Sequence, residues 1–239
     1  MAVATETSAM VAKFKGMAPP DVFETYSTAK SNFTKSFNKS AAIKPVYQLT
    51  SLDQELQKLS QILTNNLCQQ GDTLPTFSLP NALGKEISSK DLLSNGPLLI
   101  TFYRGAWCPF CEISLHSLQK HLAEFKAKGV TLVAITPELP DNALSTKEKN
   151  ELQFEVLSDV GNVYATKLGL LFQQPEEMRG VLGMFGTDLK KYNGDDSFAL
   201  PVPATLLVDK EGKVRNAYVE PDWTQRMETT EALKWVDEL

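Results

Sequence analysis

The chain has 239 residues, a net charge of −5, and 42% hydrophobic beside 22% charged residues, the balance of a globular chain with an ordinary core. The acidic balance and the lack of any basic cluster argue against nucleic-acid binding, and no apolar run approaches the ~18 residues that a bilayer span requires. Three cysteines, two of them in one motif, do not make a disulfide scaffold, so a reducing cytoplasm is the expected compartment. The first sixteen residues lack an apolar signal core and hold Glu6 but no arginine, which argues against a secretory or transit peptide.

Residues 1–19 are small, polar and aperiodic, and predict a mobile tail. A helix is expected from Asp21, its cap, with Val22, Phe23, Tyr26 and Ala29 on its apolar side. A second is expected over 51–68, where Ser51 and Gln54 have capping-box spacing and Leu52, Leu56, Leu59, Ile62 and Leu63 form a stripe. Residues 1–69 thus read as a tail and helical arm, whose stripe must lie on the main domain or on another copy. Cys68 is either a small apolar residue or a distant resolving cysteine.

The composition changes at Gly71, and 70–239 reads as one domain. A β-hairpin is expected over 76–88 and a short helical turn capped by Ser89 or Asp91. An apolar, β-prone run over 98–103 ends at Gly105, and a helical pattern over 112–128 carries Leu115, Leu118, Leu122 and Phe125 on one stripe. Further strands are expected at 130–135, 154–157, 204–209 and 213–219, the last two antiparallel about Lys210-Glu211-Gly212. A loop is expected over 137–145, and helices over 146–151, through Val163 and Leu168, and over 224–239 with Leu233 and Val236 inward. Between them, 172–200 is an insertion with a helix start at Pro175-Glu176-Glu177 and a turn over 192–196. It either covers a functional site or caps the sheet without touching one. Strands alternating with helices define an α/β sheet.

Chemistry concentrates in Cys108-Pro109-Phe110-Cys111. Running the helical stripe backwards puts Cys111 on the buried face, Cys108 at the helix N-terminus and Pro109 at the first helical position, where a missing N–H costs nothing. A thiol at a helix start faces unpaired N–H groups and the positive end of the helix dipole, which favours thiolate. A buried strand feeding such a Cys-x-x-Cys helix reads as a thioredoxin-like redox site. Zinc would need two further ligands. Only Cys68, His116 and His121 remain, and the histidines diverge by about 140° on a helix, so neither a metal nor another cofactor is expected. Two inert core cysteines are the other reading. Cys111 alone fits it, whereas Cys108, between Trp107 and Pro109 at a chain break, does not.

The segments 71–80, 102–111 with Phe-Tyr-Arg-Gly-Ala-Trp-Cys-Pro-Phe-Cys, 154–169 with Leu157-Ser158-Asp159, and 200–214 together resemble the alkyl hydroperoxide reductase and thiol-specific antioxidant (AhpC/TSA) family of the thioredoxin superfamily. The resemblance implies a thioredoxin-like, peroxiredoxin-type mixed sheet flanked by helices, with the N-terminal arm outside it. It puts the peroxidatic cysteine on Cys111. The family's threonine then falls on Cys108, its proline on Arg104 and its arginine on Pro203. Pro203 instead resembles the cis-proline that faces the dithiol of thioredoxins.

Two cycles follow. In one, Cys111 or Cys108 attacks a hydroperoxide, the other cysteine condenses with the sulfenic acid, and thioredoxin or glutathione reduces the disulfide. In the other, an exposed Cys108 attacks a disulfide and Cys111 resolves the mixed disulfide. With Pro203 at the arginine position, Arg104 is the cation expected to support the thiolate; a surface ion pair is its other reading. Trp107 shields the pair or simply packs. The resemblance favours the peroxidase. A dithiol–disulfide reductase and a redox-sensing or redox-silent binding module are the alternatives, and a homodimer is left open.

Overall fold

The computed structural model describes residues 67–174 and 176–239. The tail and the arm helices expected within 1–66, and Pro175 of the expected helix start, lie outside the described residues.

A five-stranded mixed sheet organises the domain, in the order β5 (Glu155–Ser158), β4 (Thr131–Thr136), β3 (Leu98–Phe102), β8 (Ala204–Val208), β9 (Val214–Val219). Strand β3 is central, parallel to β4 and antiparallel to β8. All five of its residues are buried, as a strand covered on both faces requires. Its side chains alternate between two cores. Leu98, Ile100 and Phe102 join one with Phe77, Tyr164 and Cys68, while Leu99 joins the other with Cys108, Cys111, Leu118 and Phe125. Burying each such large apolar side chain contributes roughly 1.5–3 kcal/mol.

The hairpin forms from β1 (Ser78–Pro80) and β2 (Glu86–Ser88), leading into α1 (Ser89–Ser94). The cap of α1 is Ser88, whose hydroxyl accepts the Lys90 N–H, and not Ser89 or Asp91. After β3 the chain forms α2 (Pro109–Lys120) and α3 (Leu122–Ala127), broken at His121. Leu115, Leu118, Leu122 and Phe125 are all buried across that break. The stripe reports which face is buried and is silent on backbone continuity, which is why it suggests one helix. A second correction is α4 (Pro140–Lys149), which takes up part of the expected loop. Pro140 is its first residue, where proline starts a helix rather than ending one. A 3₁₀ turn, Val160–Asn162, precedes α5 (Val163–Lys167).

The insertion folds as β6 (Leu171–Gln173), α6 (Glu177–Met184), α7 (Leu189–Asn193) and β7 (Ala199–Pro201), with β6 and β7 paired antiparallel. The final helix α8 spans Thr229–Asp237, shorter than expected, so the residues from Gln225 to Glu228 form an irregular approach to it. Among the described residues no helix is long and apolar enough to cross a membrane.

Asp159 ties β5 to α5. It is 2% exposed, and its two carboxylate oxygens accept the N–H groups of Tyr164 at 2.9 Å and Ala165 at 2.8 Å. Asp159→Ala strands two buried donors and should lower stability by about 1–3 kcal/mol, read as a reduced urea midpoint with an unchanged slope.

Candidate active site

The site grows from the end of β3. Tyr103 N–H continues the ladder to Ile135 O at 3.0 Å, and the chain then turns at Gly105 with φ of 146°. A Cβ at Gly105 would lie 2.4 Å from Trp107 Nε1 and 3.0 Å from Glu138 Oε1, so only glycine lets the indole fold back over this turn. Cys108 follows as the N-cap of α2, with extended backbone, and Pro109 occupies the first turn. Cys108 O accepts the N–H groups of Cys111 at 3.0 Å and Glu112 at 3.1 Å, which brings the two thiols to one end of the helix.

Neither cysteine is in a disulfide and both are buried, Cys108 at 1% and Cys111 at 0% exposure. This corrects the expectation of an exposed Cys108. The two thiols are driven in opposite directions. Burial opposes charge on Cys111. The hydrogen bond from Cys108, the charge of Arg226, the backbone N–H of Arg104 and the Arg104 guanidinium outweigh it and hold the Cys111 thiol well below its ordinary range. Burial, together with donation to the Cys111 sulfur and the charge there, pushes Cys108 well up. The arrangement favours negative charge on Cys111, with the Cys108 thiol donating to it.

Arg226 is the contact that the sequence did not announce. Its Nη2 donates to Cys111 Sγ at 3.0 Å, and its Nη1 is anchored on the carbonyls of Trp223 and Gln225. It lies 115 positions along the chain from Cys111, in the stretch that periodicity assigns to the last helix. The family resemblance puts its arginine at Pro203, yet the sulfur is not left without a cation. Pro203 itself is buried immediately before β8, and no peptide bond among the described residues is cis.

Arg104 is 4% exposed, so it is not a surface ion-pair residue. Its guanidinium carbon sits 4.9 Å from the Trp107 ring centroid and 5.1 Å from that of Trp223. Cation–π contacts of this kind contribute about 0.5–2 kcal/mol. Its Nη2 also donates a long bond of 3.4 Å to Gln174 Oε1. Trp107 packs against both the core around the cysteines and the cluster of Leu182, Leu189, Phe198 and Leu200. The insertion thus reaches the site through Trp107 and Gln174 and does more than cap the sheet. Cys68 lies in the core on the opposite side of the sheet from the pair, its thiol pushed up by burial and by Asp72.

Glu138 and Trp223 also escaped sequence reasoning. Glu138 follows β4 in what reads as a polar loop, and no periodicity marks it as buried. Trp223 packs edge-on to Phe110 at 5.4 Å between centroids, which joins it to the Cys-x-x-Cys helix.

A dithiol at the start of a helix, fed by the central strand of a thioredoxin-like sheet, defines a thiol oxidoreductase. The AhpC/TSA family model matches residues 70–217, and the chain belongs to that family. It is 35% identical over 100 residues to a putative peroxiredoxin, bcp, of Buchnera aphidicola, covering 42% of this chain and 63% of that one. It is 28% identical over 153 residues to peroxiredoxin Bcp of Escherichia coli K12, covering 64% of this chain and 86% of the relative. Among solved structures, peroxidoxin BcpB from Mycobacterium tuberculosis superposes with a TM-score of 0.57 at 20% identity, over 72% of this chain and 97% of that one.

The two arginines differ in rank at Cys111. Arg226→Ala removes the charge that acts on Cys111 most directly and should raise the pH midpoint of Cys111 alkylation. Arg104→Ala, which leaves the backbone N–H in place, should shift it less. Rates of iodoacetamide labelling against pH in a Cys68→Ser, Cys108→Ser background measure both.

Proposed function

We propose that the protein is a thiol-dependent peroxidase in which Cys111 is the attacking sulfur and Cys108 the resolving one. The observation that carries the assignment of roles is the Arg226 guanidinium on Cys111 Sγ at 3.0 Å. A thiolate is the nucleophile in this chemistry, and a guanidinium beside it can also hold the oxygens of an incoming hydroperoxide with charge-assisted hydrogen bonds. The family and its peroxiredoxin relatives support the peroxidase class.

The cycle balances within one chain. The Cys111 thiolate attacks the distal oxygen of a hydroperoxide, the O–O bond breaks, and the leaving alkoxide or hydroxide takes a proton. Cys111 is then a sulfenic acid. The Cys108 sulfur displaces its oxygen as water, forming the Cys108–Cys111 disulfide, which guards the sulfenic acid from further oxidation. A thiol reductant, thioredoxin through its dithiol or two molecules of glutathione, returns two electrons by thiol–disulfide exchange. Such reductants belong to a reducing compartment, and we assign the protein to the cytoplasm and its chemistry to residues 70–239. Small hydroperoxides suit the burial of both sulfurs. A protein reductant needs the turn around Trp107 and Cys108 to open, and Cys108, at the helix end, is the sulfur it meets first.

One equivalent of hydrogen peroxide should remove two thiols quickly and leave a single peptide carrying an internal Cys108–Cys111 link by mass spectrometry. Loss of thiols only with a disulfide substrate would support the reductase instead, and no loss would support the binding module. Cys108→Ser should still form a sulfenic acid at Cys111 but fail to turn over with thioredoxin. Cys111→Ser should lose peroxide reactivity while keeping an alkylatable Cys108. Wild-type peroxide rates in Cys111→Ser would reverse the two roles.

A further inference from the structure

Glu138 follows the end of β4 and is fully buried, at 0% exposure. Its Oε1 accepts the Ala106 N–H at 3.0 Å, and its Oε2 accepts a long bond of 3.4 Å from Thr136 Oγ1. The same Oε1 is wedged against Gly105, so the carboxyl braces the turn that delivers Cys108. The acidic groups that face it are Cys111 and Glu112 from α2, Tyr103 from the end of β3 and Tyr192 from α7. Glu112 has its own cation in Lys149. An ionised carboxylate here would stand buried beside the Cys111 thiolate, an expensive arrangement. Burial, against the Ala106 N–H and with the Cys111 charge adding to it, pushes Glu138 up to about 8. In the reduced protein at neutral pH the carboxyl holds its proton.

The redox cycle needs a proton at this place. A thiolate, a thiol and a hydroperoxide yield a disulfide, an alcohol and one hydroxide. Whichever sulfur acts first, one proton must be supplied inside a site that excludes water. We propose that Glu138 is the proton store of the redox pair, protonated while Cys111 is a thiolate and giving its proton to the leaving oxygen as the pair is oxidised. The inference rests on the peroxidase reading for the identity of that oxygen.

The balance closes in both directions. On oxidation, the Cys111 thiolate, the Cys108 thiol, the Glu138 acid and ROOH give the disulfide, the Glu138 carboxylate, ROH and water. One negative charge moves from sulfur to carboxylate and the site keeps its net charge. With the thiolate gone, its repulsion no longer adds to the effect of burial, while the Ala106 N–H and the Thr136 hydroxyl still stabilise the carboxylate. On reduction, a dithiol supplies two electrons and two protons. One proton goes to Cys108, the other returns to Glu138, and Cys111 leaves as thiolate.

The test uses the full-length chain and infrared difference spectra at pH 7, with the pair oxidised once by hydrogen peroxide and once by oxidised glutathione. Wild-type protein should lose one protonated-carboxyl band as the disulfide forms and regain it on reduction, and Glu138→Gln should lack the band. In stopped flow, Glu138→Gln, which keeps an acceptor for the Ala106 N–H, should form the Cys111 sulfenic acid on the order of 10²-fold more slowly below pH 7. The wild-type rate should fall as pH rises through about 8, and the variant should show no such fall. A carboxyl band that persists through disulfide formation overturns the inference, as does a variant with wild-type rates across the pH range. If peroxide leaves the wild-type thiols untouched, the peroxidase reading fails by itself; the glutathione arm still decides Glu138, band loss supporting the proton store and persistence overturning it. Should Glu138→Gln fail to fold, the wild-type spectra alone decide between band loss and persistence.

Discussion

A sulfur driven toward negative charge inside an apolar core is the constraint to which the rest of this structure answers. Moving an unpaired ion out of water costs many kcal/mol, yet Cys111 has no measurable exposure. The guanidinium of Arg226 on its sulfur, the Cys108 thiol beside it and the backbone N–H of Arg104 replace the water it has lost. Each of these supports needs its own fixing. Arg226 is tied to two backbone carbonyls, and Arg104 lies against two indoles. Arginine suits both places, because its planar fork serves several acceptors at once and its weak hydration lowers the cost of burying it.

The sheet supplies the rigidity for this. Strand β3 is paired on both sides and buried on both faces, so the turn leaving it has a fixed starting point. That turn holds Gly105, whose missing Cβ lets Trp107 and Glu138 close on it from different directions. The insertion then adds a small hydrophobic cluster of its own against Trp107. The dithiol is therefore enclosed by stretches of chain far apart in sequence. Exclusion of water is what separates its two thiols so far in acidity, since charges act more strongly on one another in such surroundings.

Closure also sets which groups in the site carry protons. Burial, with the Cys111 charge adding to it, pushes the Glu138 carboxyl toward its neutral form. Glu112, on the same helix as Cys111, is likewise buried but keeps Lys149 as its partner. The two glutamates show the same rule from opposite sides, one neutralised by a proton and one by a cation.

Local pattern in the chain was enough to place β3, the start of α2, the terminal strand pair and the dithiol at the helix N-terminus. Those features rest on interactions between near neighbours: alternation along a strand, a three-to-four spacing on a helix, a proline tolerated only at a first turn. Trp107, one residue before Cys108, could also be singled out from that stretch, and Arg104, four before it, through the family resemblance. Pattern failed where burial or contact depends on distant chain. Arg226 looked like the first turn of a final helix, Glu138 like a polar loop, and Cys108 like an exposed end. In each case a partner from another part of the sequence decides the outcome: Cys111 for Arg226, the Gly105–Ala106 turn for Glu138, and the packing around Trp107 for Cys108. The nearest backbone and the helix period determined where the sulfurs stand. Only tertiary packing, by removing water and bringing an arginine from far along the chain, decided which of them is charged.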